Sequence, residues 1–202
     1  MNTGLASEIV SLSLQHLRLV GLTIAIAVAV ALPGAVLLAR RPVARRWALG
    51  FTNIAQTVPS LALFGFLLPL IGIGEHTAIL ALSLYALLPI LRNTLTGILG
   101  VDPAVRESAL AMGMTPRQIL WQVEMPLAVP SIVAGLRIAT VTTIGTATIA
   151  AFIGAGGLGV FLVRGIAMMD KQALLAGAVP AAAMALMADE GLEWIERRLS
   201  PA

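Results

Sequence analysis

The chain has 202 residues, of which 58% are hydrophobic and 11% charged, and its mean hydropathy is +0.95. A soluble domain carries about 25% charged residues, so the composition excludes one and points to an integral membrane protein. The net charge is +3 with a single lysine, Lys171, which argues against a nucleic-acid surface; with no cysteine, disulfides, thiol catalysis and Cys-based metal sites are excluded.

A helix needs about 20 apolar residues, at about 1.5 Å each, to cross a bilayer. Long apolar runs exclude barrel strands, and a bilayer cannot satisfy a free backbone, so an all-α membrane protein with five transmembrane helices is expected. The N-terminus lacks a basic region ahead of its first apolar run, so no cleaved signal peptide is expected. The first span is predicted over Leu17–Ala39, with Pro33 inside it. The basic cluster Arg40, Arg41, Arg45 and Arg46 follows.

The second span is predicted over Gly50–Ile71. Asn53, Gln56, Thr57 and Ser60 stand at i, i+3, i+4 and i+7, a polar stripe on an apolar helix. Polar side chains at that depth face protein or water rather than lipid. The stripe therefore lines a pore or bonds to a neighbouring helix. Pro59 and Pro69 can kink the same helix and free carbonyls. The third span is predicted over Thr77–Ile98.

The stretch DPAVRESALAMGMTPRQILWQVEMP, Asp102 to Pro126, carries both signs of charge between apolar blocks. Asp102 is a good N-cap, with Pro103 at the first helical position. Gly113 supplies the permissive backbone that stops this helix. Thr115 and Pro116 repeat the signal for a second helix, RQILWQVE, expected to end at Pro126.

The fourth span is predicted over Leu127–Ile153. Gly135, Ala139, Thr143, Ala147 and Ala151 recur every fourth residue, a small-residue seam that lets helices approach closely. Thr142 and Thr146, one face over, are weaker pore candidates. Arg137 lies about two turns in; it either braces the inner mouth or snorkels to the interface. Arg92, Asp189 and Glu190 lie near span ends, where no special role is expected. Gly154-Ala155-Gly156-Gly157-Leu158-Gly159 satisfies G-x-G-x-x-G, but it follows a membrane helix rather than a strand, which argues against a dinucleotide site. The fifth span is predicted over Gln172–Ile195.

Arginines concentrate after the first, third and fifth spans, so the positive-inside rule places the N-terminus outside and the C-terminus in the cytoplasm. The Asp102–Pro126 hairpin then faces the cytosol. Trp47, Trp121 and Trp194 fall near the same boundaries, and His16 and His76 near the outer ends, all as interfacial anchors. No Walker A motif surrounds the only lysine, and no H-E-x-x-H or G-x-S-x-G occurs. The chain is therefore not expected to be an enzyme or to hydrolyse ATP by itself.

Glu107, Ser108, Ala109, Gly113, Val123 and Pro126 follow the spacing of the EAA loop of bacterial ABC-importer permeases, with Ser108 for the first alanine and Met125 for the usual leucine. Beyond that loop, NIAQTVPSLALFGFLLPLIGIG, LLPILRNTLTGILGVDP, ESALAMGMTP, FIGAGGLG and the tail ERRLSP resemble the permease subunit of osmoprotectant importers of the glycine betaine/carnitine/choline class. The resemblance covers nearly the whole chain as one transmembrane domain, 1–202. It implies the MetI-like ABC permease fold and a location in the bacterial inner membrane. It also implies an ATPase dimer that binds ATP and Mg, a second permease subunit, same or sister, and an extracytoplasmic substrate-binding protein. Some members carry the binding protein fused at the C-terminus; ending at Ala202, this chain is expected to use a separate one.

On that resemblance the six EAA-loop residues couple to the ATPase, Gly113 holding the angle between the helices and Glu107 supplying a polar contact. The path for solute would comprise Asn53, Gln56, Thr57, Ser60, Tyr85, Thr142 and Thr146, with no cofactor or metal in this chain. Quaternary ammonium groups are commonly held by aromatic cages, yet Tyr85 is the only tyrosine. Specificity is therefore expected mainly in the binding protein. Two alternatives remain open: a permease for another small solute such as an amino acid, and a gated channel, which would not need the cytosolic hairpin.

Overall fold

A computed structural model describes residues 3–199, so Ser200 and Pro201 of the tail motif lie outside the described residues. Four helices are long and apolar enough to span a membrane: α1 (Thr3–Ala39), α4 (Glu75–Leu99), the rod ending in α7 (Met125–Ala147), and α9 (Lys171–Leu199). A bent pair, α2 (Pro42–Thr57) and α3 (Ser60–Ile71), set at 100° to each other, makes a fifth span when its two arms are taken together. No strand occurs among the described residues. This is the expected five-span helical architecture with one difference, the break in the second span.

The break falls at Val58–Pro59, where both residues adopt extended ψ angles of 126° and 135°. Pro59 has no N–H to continue α2, and its ring disfavours helix at the residue before it. The prolines inside α1, α3, α4, α7 and α9 do not break their helices.

The core is centred on α4, which packs against α1, α7, α2 and α3. Small residues set the spacing. Ala27, Ala31, Ala35 and Ala39 form a buried stripe on α1, against Ala86, Ile90 and Ile98 of α4 and Ala128 and Ala139 of α7. Four members of the predicted α7 seam, Gly135, Ala139, Thr143 and Ala147, are buried as close packing requires. At Gly135 the helices nearly touch: a Cβ there would lie 2.7 Å from Asn93 Cβ and 2.8 Å from the Pro89 carbonyl oxygen. Ala151 falls beyond α7, in a 3-10 turn, Ile149–Ile153.

Between α4 and α7 lie α5 (Pro103–Ala111) and α6 (Pro116–Ile119). The second helix of this hairpin does not end at Pro126. It passes through a π turn, Leu120–Glu124, directly into α7, so that Pro116–Ala147 runs as one rod of 32 residues. Pro126 lies in the first turn of α7, just after the π turn, whose last bond runs from the Met125 N–H to Leu120 O.

The glycine loop turns at Gly154, Gly156 and Gly157, all with φ between 73° and 78°. It then enters α8 (Gly159–Met168), a short apolar helix that packs as a hairpin on α9. Sequence reasoning took this region as loop. Its signal was the pair Gly165 and Gly177, where a Cβ would meet Leu174 Cγ at 2.6 Å and the Leu158 carbonyl at 2.8 Å.

Candidate functional site

The hairpin is capped as its residues predict. Asp102 accepts from the Ala104 N–H at 2.8 Å, with Pro103 at the first helical position of α5. α5 ends in a Schellman motif: the Gly113 N–H donates to Leu110 O at 2.9 Å and the Met114 N–H to Ala109 O at 3.1 Å, with Gly113 at φ 81°. Thr115 and Gln118 form a capping box, the Thr115 N–H donating to Gln118 Oε1 at 2.8 Å. The joint between α5 and α6 is therefore made rigid by its own hydrogen bonds.

The six EAA-loop residues divide between surface and interior. Glu107 and Ser108 are exposed, the Ser108 hydroxyl bonding back to Ala104 O at 2.8 Å. Ala109 is buried and faces inward. Gly113 forms the joint, Val123 is half-buried in the π turn, and Pro126 is exposed at the foot of α7. Val105, Leu110, Met112 and Trp121 of the hairpin are exposed as well.

Sequence reasoning missed Glu124. It is fully enclosed, 0% exposed, at the end of the π turn. Arg40 Nη2 donates to both of its oxygens at 2.7 Å, and Arg106 Nε approaches Oε1 at 2.8 Å. An acid falling between the two aliphatic positions of the motif was the available sign.

Six of the seven predicted path residues line one cavity of about 560 Å³: Gln56, Thr57, Ser60, Tyr85, Thr142 and Thr146. The proline break sets Ser60 on a different helix from Gln56 and Thr57, so the predicted stripe is not one helix face but the rim of a corner. Asn53 lies outside the cavity and accepts from Arg92 Nη2 at 3.0 Å. Arg92 itself lines the wall, with Asn93 and Thr143, so its position near a span end concealed a place at the site. Tyr85 pins the break from both sides: its hydroxyl donates to Val58 O, and its carbonyl accepts from Gln56 Nε2 at 2.7 Å.

Further ion pairs brace the bundle. Arg137 of α7 bonds Asp189 and Glu193 of α9, at 3.0 and 2.8 Å through Nη2, and faces Glu196 at 3.6 Å. Asp189 thus has a specific partner, contrary to expectation, because i, i+4 and i+7 place three carboxylates on one helix face. His16 is no interfacial anchor either. It is fully buried, since α1 continues for more than three turns beyond it, and its Nε2–H donates to Ile144 O at 3.0 Å. That carbonyl is free because the Thr148 N–H turns to Gly145 O instead. Gln15 accepts from the Gly157 N–H at 3.3 Å, which fixes the glycine loop on α1.

A multi-span helical bundle with a capped hairpin between two spans and a polar cavity among them defines a membrane transport component. The chain belongs to the family of binding-protein-dependent transport system inner membrane components, matched over residues 18–201. It is 46% identical to a carnitine transport permease protein, OpuCD, of Listeria monocytogenes over 93% of this chain and 84% of that one. It is 49% identical to the glycine betaine/carnitine/choline transport system permease protein OpuCD of Bacillus subtilis, over 85% of this chain and 76% of that one. The fold is shared with a chain of the inward-facing MetNI methionine ABC transporter, at TM-score 0.89, 24% identity and full coverage of both chains.

Proposed function

We propose that the chain is the permease subunit of an ATP-driven importer for quaternary-ammonium osmoprotectants: glycine betaine, carnitine or choline. Its kinship to permeases named for these solutes carries the reading, since a relative of such similarity over most of the chain shares the build of the solute path. The cavity of about 560 Å³ supports it, being sized for a small ligand and walled by hydroxyls, amides and one aromatic ring. In this reading Gln56, Thr57, Ser60, Tyr85, Thr142 and Thr146 face the solute, and Asn53 orients Arg92 at the edge.

The chain contributes the path and the coupling surface, and ATP and Mg are held by a partner ATPase dimer. Glu107, Ser108 and the exposed apolar side chains of the hairpin dock on that partner, while Ala109, Gly113, Val123 and Pro126 hold the hairpin's shape. A second permease copy or sister closes the open side of the cavity, and an extracytoplasmic binding protein delivers solute. The N-terminus lies outside and the hairpin in the cytosol. The arginines that follow the first, third and fifth spans support this orientation. The ion pairs of Arg40 and Arg106 with Glu124 agree with it in holding the end of the first span and the start of the fourth on the hairpin's side.

Reconstitution with the ATPase and binding protein into proteoliposomes tests the reading. ATP-dependent uptake of radiolabelled glycine betaine, competed by carnitine or choline, is the expected result. Uptake of an amino acid such as methionine, with no osmoprotectant competing, would favour the other solute class. Solute flux without ATP or bound ATPase would favour a channel.

A further inference from the structure

The first hairpin helix, α5, is joined covalently to α4 and α6 by two short links, Gly100–Asp102 and Met112–Thr115. The capped joint at Gly113 fixes α5 to α6. Those links lead to the third and fourth spans, and neither reaches the first. What ties α5 sideways to the membrane bundle is Arg106, in the middle of α5 and next to Glu107 in sequence, through its bond to Glu124. Glu124 is also bonded by Arg40, the residue that follows the last turn of α1. One dry carboxylate therefore joins three elements: the end of the first span, the first hairpin helix and the foot of the fourth span.

The exposure of the three groups is uneven in an informative way. Glu124 is completely enclosed, while the side chains of Arg40 and Arg106 are 43% and 36% exposed. The anion depends wholly on its two cations, whereas each cation can still be hydrated. A buried charge stripped of its partner is strongly unfavourable. The junction therefore resists being pulled apart when either arm is pushed. Its site in a π turn fits, since such turns insert a residue and redirect a side chain without ending the helix.

We infer that Glu124 is a positioning residue for energy coupling, and that the Arg106–Glu124–Arg40 bridge carries displacement of α5 into the first span as well as the fourth. This rests on the reading of the hairpin as the ATPase-docking surface. Without the bridge, a push on α5 reaches the fourth span through the joint at Gly113 but does not reach the first. With it, α1 and α7 move as a pair.

Arg106→Gln cuts α5 from the bridge but leaves Glu124 paired with Arg40, so no buried charge is orphaned and the bundle keeps its fold. Arg40→Gln cuts the other arm. In proteoliposomes with the ATPase and binding protein, both variants are expected to assemble and to hydrolyse ATP. Each should carry about tenfold less solute per ATP hydrolysed, and Arg106→Lys should recover most of the loss. Spin labels at the exposed positions Ala104 of α5 and Leu37 of α1 should show a broadened distance distribution in Arg106→Gln. Unchanged solute per ATP in both Gln variants overturns the inference. So does loss of assembly in both, which would make the bridge a folding device only. A wild-type chain that binds no ATPase overturns instead the docking reading beneath it, and is recognised by the missing complex.

Discussion

Proline chemistry explains why Tyr85 is placed as it is. Its carbonyl would ordinarily accept from the residue four positions on, but that residue is Pro89, which has no N–H, so the carbonyl is free for Gln56. Its hydroxyl meets another carbonyl beside a proline, that of Val58. Tyr85→Phe should keep the fold and cost about 1 kcal/mol, the usual net value of one hydrogen bond, measured by thermal unfolding in detergent. Combined with Gln56→Leu it should show a non-additive loss, since both act on one corner. His16→Leu should cost more, about 1–3 kcal/mol, because it leaves the Ile144 carbonyl buried without a partner. The polar residues around the cavity were legible in sequence as residues out of place in apolar helices. The acceptors that join helices were not: Tyr85 O is released by Pro89 and Val58 O by the end of α2, and a one-dimensional pattern does not show which carbonyl a distant side chain reaches.

Two glycines show that the same residue serves the helices in opposite ways. Gly113 has open space around it but a backbone at φ 81°, so the obstacle to substitution is conformational. Gly113→Val should insert normally, strain the joint by about 1–3 kcal/mol, and give ATP hydrolysis with little uptake. Normal coupled transport by that variant would count against the rigid joint. Gly135 sits in an ordinary helix but has no room, with Pro89 O and Asn93 Cβ inside contact distance of an added carbon. Gly135→Val should push α4 from α7, with an overpacking cost of about 1–3 kcal/mol and a lowered melting temperature. The caps of the hairpin and the limits of α4 were readable from sequence because caps are local chemistry. A kink at Pro59 was readable but not its full 100° break, and the run-through at Pro126 was not, since both residues are prolines near a helix end. What differs is the surroundings: Tyr85 and Gln56 hold one corner open, while the π turn absorbs the other.

At the scale of the whole molecule, charge and mechanics share one end. Arg40, Arg106 and Glu124 meet there, and the last turn of α9 carries Arg197 and Arg198. The natural absence of cysteine offers a clean background for testing its side. A single cysteine at exposed Ala104 should react with a membrane-impermeant maleimide in inside-out vesicles and be protected in intact cells. Reaction in intact cells would reverse the orientation. The long apolar spans and their order were legible, because bilayer thickness imposes a length that apolar runs must meet. What composition concealed was continuity. From Pro116 to Ala147 the backbone is unbroken for 32 residues, about 48 Å at 1.5 Å per residue. A stiff beam of that length has no place to dissipate a tilt imposed at its foot. An inclination of about 5° there becomes a sideways excursion of roughly 4 Å at its far tip, beside the histidine and glycine contacts of the opposite rim. Opening at one face of the membrane and closing at the other would then be a single movement seen from its two ends.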